Sequence, residues 1–155
     1  MVVGLAVALV ALLVAIGLVV TSRDAVDDDL TSAQREVAEA ARVEALAFLT
    51  VDHTDMDPLI DAVLAGATGD FAEQYESQRD TLTSEAIRTE ATSTGEVVAL
   101  GVGDLDDDSA TVLIAANSTV TNTRTDEPQV RYYRLELGLV RRDGRWLTSS
   151  LRFVR

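Results

Sequence analysis

His53 is the only histidine in the chain, and it sits among Asp52, Asp55 and Asp57. Imidazole with neighbouring carboxylates is a donor set that divalent metals accept. A working site, however, needs several ligands converging on one point, and one His in a segment joining two helices does not supply them. Asp residues in such a link cap helices and bond their own backbone, so they are read as caps and turns. Asp104, Asp106, Asp107 and Asp108 resemble part of a calcium loop, but the Gly and the distal Glu of that loop are missing. A solvated hairpin tip is the better reading. The chain has no Cys for a thiolate nucleophile and no Gly-rich phosphate loop. Ser-His-Asp chemistry would have to use His53, and nothing local places a Ser beside it. Asn117-Ser118-Thr119 matches an N-glycosylation acceptor; in a chain of bacterial composition it is read as coincidental. The residues themselves therefore lead to no expected catalytic, metal or cofactor site.

The element that positions everything else is the stretch Val2 to Val20. Its nineteen residues are all apolar or Gly. As a helix it would cover roughly 28 Å, close to the hydrocarbon thickness of a bilayer. A helix also bonds all its own backbone groups, as lipid requires. A cleaved signal peptide would need a basic start, a shorter apolar run and a small-residue cleavage site, and none of these is present. The expected organisation is a transmembrane anchor at 1–21, a juxtamembrane linker at 22–31 and an α+β domain at 32–155. Arg23 and the acidic residues after it do not fix which side the domain occupies.

All 13 basic residues are Arg, and the net charge is −13. Seven of those Arg lie from Arg131 onward against Glu136 and Asp143. That stretch carries +5, which leaves −18 for the rest. So acidic a chain would repel phosphates, so no nucleic acid is expected as a partner. The Arg-rich C-terminal strands are read first as solvated faces and second as an anion-binding or partner-binding face.

Thr31 and Gln34 form a capping box at the start of a helix over 32–49. Ala33, Val37, Ala41, Ala45 and Phe48 make its apolar stripe, and Glu44 falls close to that stripe. The apolar span either stops at the juncture or runs on into this helix. Asp57-Pro58 starts a second helix, which Gly66 ends in the left-handed conformation. A third helix starts near Thr68 to Asp70, with Asp70 and Glu73 as a second capping box, and runs to about Arg88. From Glu90 the period changes to two. Residues 91–104, 109–123, 129–142 and 145–154 read as four antiparallel strands. Asp143-Gly144 makes the last hairpin turn. Val112 to Ala116 is apolar on both faces, so its strand is central. Trp146 is expected to pack at a sheet end. The fold class is thus α+β, with about three helices on a four-stranded antiparallel sheet.

Several local motifs, in this order after one N-terminal span, resemble the Mce-associated membrane proteins of actinobacteria. They are Ala47-Phe48-Leu49-Thr50-Val51-Asp52-His53, Val63 to Phe71 with Tyr75, Gly95 to Val102, Val112 to Ala115, Tyr133-Arg134-Leu135, and Arg142 to Leu147. Only Met1 precedes the span here, where many relatives carry a longer tail. The resemblance implies a curved, cone-shaped domain like nuclear transport factor 2, held outside the cytoplasm by a single-pass anchor in the cell membrane. It implies a non-enzymatic accessory subunit of an Mce-type importer of lipids or sterols, with Mce subunits or their permease as partners. Carriage of a lipid, sterol or other apolar ligand in the cone is the alternative. A third reading follows from fold analogy, since such cones host isomerases and dehydratases. Its candidate residues would be Tyr75, Tyr132, Tyr133 and Asp70, each of which also has a plain packing or capping role.

Overall fold

The computed structural model describes residues 30–125 and 127–155. The apolar stretch Val2–Val20 and the juncture as far as residue 29 lie outside the described residues. Among the described residues no helix is long and apolar enough to cross a membrane. The chain divides into two units, residues 1–35 and 36–155.

Helix α1 spans Ser32–Leu49. Its capping box forms as expected: the Thr31 N–H donates to Gln34 Oε1 at 2.9 Å, and the Gln34 N–H donates to Thr31 Oγ1 at 3.2 Å. Strand β1 is the two-residue Val51–Asp52. Three helices follow, α2 at Met56–Gly66, α3 at Gly69–Ser77 and α4 at Arg79–Thr89. Four long strands complete the chain: β2 at Thr92–Leu105, β3 at Ser109–Thr121, β4 at Gln129–Arg142 and β5 at Arg145–Phe153. The sheet is antiparallel in the order β1-β2-β3-β4-β5, with β3 central.

Alternation decides which face is core. Val112 pairs with Leu137 and Ile114 with Leu135, and all four side chains are buried. Val37, Ala41, Ala45 and Leu49 of α1 pack on that same face. Small residues let the helix approach closely, and Gly95 continues the trend. A Cβ at Gly95 would stand 2.7 Å from Leu49 Cβ, so glycine lets the end of α1 close on β2. The expected outward alternation also holds, since Arg134 is exposed and pairs with exposed Ala115. Trp146 packs half-buried against the core near the β4–β5 turn, with the Arg141 guanidinium 5.9 Å from its ring centroid.

The structure corrects the expected elements in five places. A fifth strand is present because Val51 and Asp52 pair with Ser93 and Thr92; two residues are too few to show a period. The expected helix through Thr68 to Arg88 is two helices, broken at Gln78, whose φ of −98° and ψ of 0° leave the helical well. The Ser77 hydroxyl donates to Gln74 O there and competes with the helical ladder. Helix α2 starts at Met56, so Asp57 and Pro58 lie inside its first turn and Asp55 takes the cap position. Pro58 is tolerated because first-turn N–H groups have no helical partner. Gly66 is the last residue of α2 and does not take the left-handed conformation; the extended Ala67 follows and bridges Thr148. Thr68, not Asp70, occupies the cap position of α3, and Gly69 behind it has a φ of +59°.

The Asp143-Gly144 turn forms as the sequence indicates, with φ of +50° and +80° at its two residues. Both angles positive is the twist that a two-residue hairpin requires. Gly144→Ala should therefore cost about 1 kcal/mol. Chemical denaturation of wild type and variant side by side would check this.

Candidate functional site

The expected ligand and acid–base residues are placed apart. Asp52 accepts from both the Thr54 hydroxyl at 2.7 Å and the Thr54 N–H at 2.9 Å. Those bonds, the hydroxyl first, hold its carboxyl below the ordinary range. The His53 N–H donates to Ala91 O at 3.0 Å. Asp57 faces Arg79 at 3.5 Å, and Arg79 also meets Asp61 and Glu76. Among the described residues no three His, Cys, Asp or Glu side chains gather as a metal site would need. Asp106, Asp107 and Asp108 are exposed at the β2–β3 turn, closed by the Asp106 N–H donating to Ser109 O at 2.8 Å.

The tyrosines separate in the same way. Tyr132 is 80% exposed on the face of the sheet away from α1, while Tyr133 packs on the inner face. Tyr75 joins a run of rings with neighbouring centroids about 6 Å apart, in the order Phe71, Tyr75, Phe48, Phe153, Tyr133. Asp70 is exposed in the first turn of α3.

The residue that sequence reasoning missed is Glu44. It is 2% exposed, in the middle of the buried stripe of α1. Its Oε1 is buried without a hydrogen-bond partner, and burial pushes its carboxyl up to about 8. It is therefore mostly protonated at neutral pH. Its other oxygen lies against Gly66, where a Cβ would overlap it. Burial, and then the Glu44 charge, raises the Tyr75 phenol. The available signal was spacing: Glu44 stands three residues after Ala41 and seven after Val37, on the core face. Chemically this is a neutral acid sealed in packing. A role as proton donor would need a route for a reactant to reach it.

Two features are open to other molecules. The first is the outer face of the sheet, away from α1. Val98, Leu113, Tyr132 and Val154 are all at least 41% exposed there. Two shallow hollows, about 420 and 550 Å³, lie over the small residues and meet at Ala115, Arg134 and Val154. The second is a cavity of about 270 Å³ between α2 and α4, lined by Phe48, Met56, Leu59, Tyr75, Leu82 and Ala86 among others. The stripe of small residues on α1, by contrast, is spent in the core and is not a free face.

A family model described as "Uncharacterized protein Rv1363c/MT1408-like" matches residues 1–155. The chain belongs to this Rv1363c/MT1408-like family. A curated relative, "Uncharacterized protein Rv1363c" of Mycobacterium tuberculosis (strain ATCC 25618 / H37Rv), is 25% identical over 117 residues, 76% of this chain and 45% of its own length. The chain thus spans about half of that relative.

Three solved structures share the fold. An IcmL-like type IV secretion system protein from Legionella pneumophila superposes with a TM-score of 0.64 at 13% identity, covering 78% of this chain and 91% of its own. The periplasmic domain of DotI gives 0.62 at 13%, covering 81% and 98%. A ketosteroid isomerase-like protein from Erwinia carotovora atroseptica gives 0.53 at 22%, covering 79% and 95%. These likenesses show a shared α+β fold, with four helices and a five-stranded antiparallel sheet among the described residues of this chain.

Proposed function

We propose that this protein is a non-enzymatic accessory subunit of a transport complex in the cell envelope. Its anchor holds the α+β domain at the outer surface of the cell membrane, and the outer sheet face docks on the complex. The motif resemblance points to an Mce-type lipid or sterol importer, with its Mce subunits or permease as the partner. The observation that carries the reading is that outer face. A sheet covered by helices on one side leaves its second side to water, and such a side is normally polar. Here it presents Leu113, Tyr132, Val98 and Val154 around Arg134. Exposed apolar patches mark interaction sites, and Tyr and Arg are among the residues that carry binding energy there. Similarity to the periplasmic domain of DotI supports the location, and similarity to a secretion-system protein supports work within an assembly. The anchor raises the local concentration of the domain near membrane-bound partners.

Leu113→Asp with Tyr132→Asp tests the reading. The full chain, purified from its own membranes in mild detergent, should bring Mce subunits or their permease in stoichiometric amounts. The double variant should fold, by circular dichroism, and lose at least about tenfold of that partner. Undiminished co-purification by the variant would remove the docking face. Wild-type protein without Mce components would remove the transporter assignment.

A further inference from the structure

The two hollows on the outer sheet face differ in chemistry. The first lies over Ala99, Gly101 and Ala115, with Leu113 and Val154 beside them. The second is lined by Asn117, Tyr132, Arg134 and Arg155, with Val98 as an apolar member. Arg134 belongs to both, so one guanidinium stands where an apolar hollow meets a polar one. Val112, Ile114 and Ala116 are buried, so Leu113 and Asn117 share the outer side of β3. Four residues of strand separate them, roughly 14 Å.

The two guanidiniums that line the second hollow are left without a carboxylate. Acids outnumber Arg in this chain by 26 to 13. Arg79, Arg88, Arg124, Arg141 and Arg152 each meet one. Among the described residues no side-chain carboxylate meets Arg134 or Arg155. Of the acids on this face, Glu136 is engaged by Arg152, and Glu96 lines neither hollow. A guanidinium presents its donors in a planar fork that matches a carboxylate. Asn117 and the Tyr132 hydroxyl bring further donors to the same hollow. An anionic membrane surface would be repelled by a chain of net −13, whereas a single carboxylate beside Arg134 meets mainly the local field.

We propose that the outer face receives an acidic segment of a partner protein. An Asp or Glu carboxylate of that segment sits on Arg134 and Arg155, and an apolar side chain about four residues away fills the hollow beside Leu113. The proposal rests on the docking reading and names the chemistry of the surface that docks. The apolar hollow supplies affinity, and the Arg pair selects the acidic partner.

The test is an array of synthetic peptides, each with one Leu and one Glu at varied spacing in a Ser-Gly background. They are immobilised densely, so that weak contacts add up, and probed with the tagged full chain in mild detergent. Peptides with a spacing near four should bind at least about threefold better than their Gln counterparts, as two exposed ion pairs allow. Replacing the Leu by Ser should weaken binding as well. Arg134→Ala with Arg155→Ala should remove the Glu preference, and Arg134→Glu with Arg155→Glu should transfer it to Lys peptides. Both positions are exposed, so these variants should fold, by circular dichroism. No binding by the wild type, equal binding of Glu and Gln peptides, or a Glu preference that survives loss of both Arg would each overturn the proposal. Co-purification separates this from the docking reading. Partner lost on Leu113→Asp with Tyr132→Asp, but no Glu preference, would leave the docking face and strike the acidic segment. A Glu preference with undiminished co-purification would keep the acidic site and strike docking on the transporter.

Discussion

Glu44→Gln is expected to leave stability unchanged near pH 4 and to raise it well above wild type beyond pH 8. The folded carboxyl titrates at about 8, against 4.5 for the free side chain. The folded state therefore holds a proton across this window that the unfolded chain has released. Stability falls with pH wherever the folded state binds more protons. The loss begins near 4.5 and is complete above 8. Each pH unit of that span is worth about 1.36 kcal/mol, which sets an upper limit of roughly 5 kcal/mol. Water entering around the ionised group would reduce the loss, so a wild-type deficit of about 2–4 kcal/mol is expected at pH 9. Gln keeps the volume and never ionises, and its curve should be flat over this window apart from changes shared with wild type. Denaturant midpoints at pH 4.5, 6.5 and 9 would decide the matter. Parallel curves for the two proteins would mean that Glu44 is hydrated or paired in the folded protein.

A carboxylic acid sealed inside a helix–sheet layer is unusual because an apolar residue of similar size would carry no such pH penalty. Its ring neighbour Tyr75 also lines the α2–α4 cavity, so Glu44 sits one side chain behind the wall of that cavity. While neutral, it leaves that wall without a buried charge. On ionising, it would place a negative charge behind that apolar wall.

How much of this was legible depended on the length of the signal. The long strands were readable because period-two alternation runs through β2 to β5, and Asp143-Gly144 can hardly be anything but a tight turn. Thr31 and Gln34 marked a helix start because their bonds are local. Short-range signals failed where tertiary bonds decide the outcome. Strand β1 exists only because Val51 and Asp52 meet β2, some forty residues later. The break at Gln78 displaces a single residue from the helical well, which apolar spacing does not register. Asp57-Pro58 is a strong start signal, yet the helix gains an extra residue upstream because Met56 buries its side chain in the second core cluster. The site divides along similar lines. The outer sheet face could be read in outline from the Arg-bearing strands, although its apolar content depends on the bulge in β2 near Val98. The cavity and the Glu85–Arg124 pair beside it could not be read, because their residues are far apart in the chain, Arg124 and Glu85 by 39 residues.

Gly66→Ala is expected to show the packing around Glu44 most directly. Alanine is normally the better residue in a helix, by close to 1 kcal/mol. Gly66 does not have the left-handed backbone that would penalise a side chain, so the backbone raises no objection. The obstacle is Glu44, whose Oε2 occupies the space a Cβ would need. That oxygen is the end of a flexible side chain, but one that is 2% exposed and has little room to yield. Overpacking of this kind costs about 1–3 kcal/mol, enough to reverse the helical gain. In a Glu44→Ala background the obstacle is gone. There Gly66→Ala should become neutral or stabilising, by up to about 1 kcal/mol, as it fills part of the vacated space. The double-mutant cycle should give a coupling of at least about 1.5 kcal/mol between the two positions, measured by denaturation near pH 6 where Glu44 is neutral. Additive effects would show that the α2 terminus moves away from α1 in solution, and Gly66 would then owe its place to something other than Glu44.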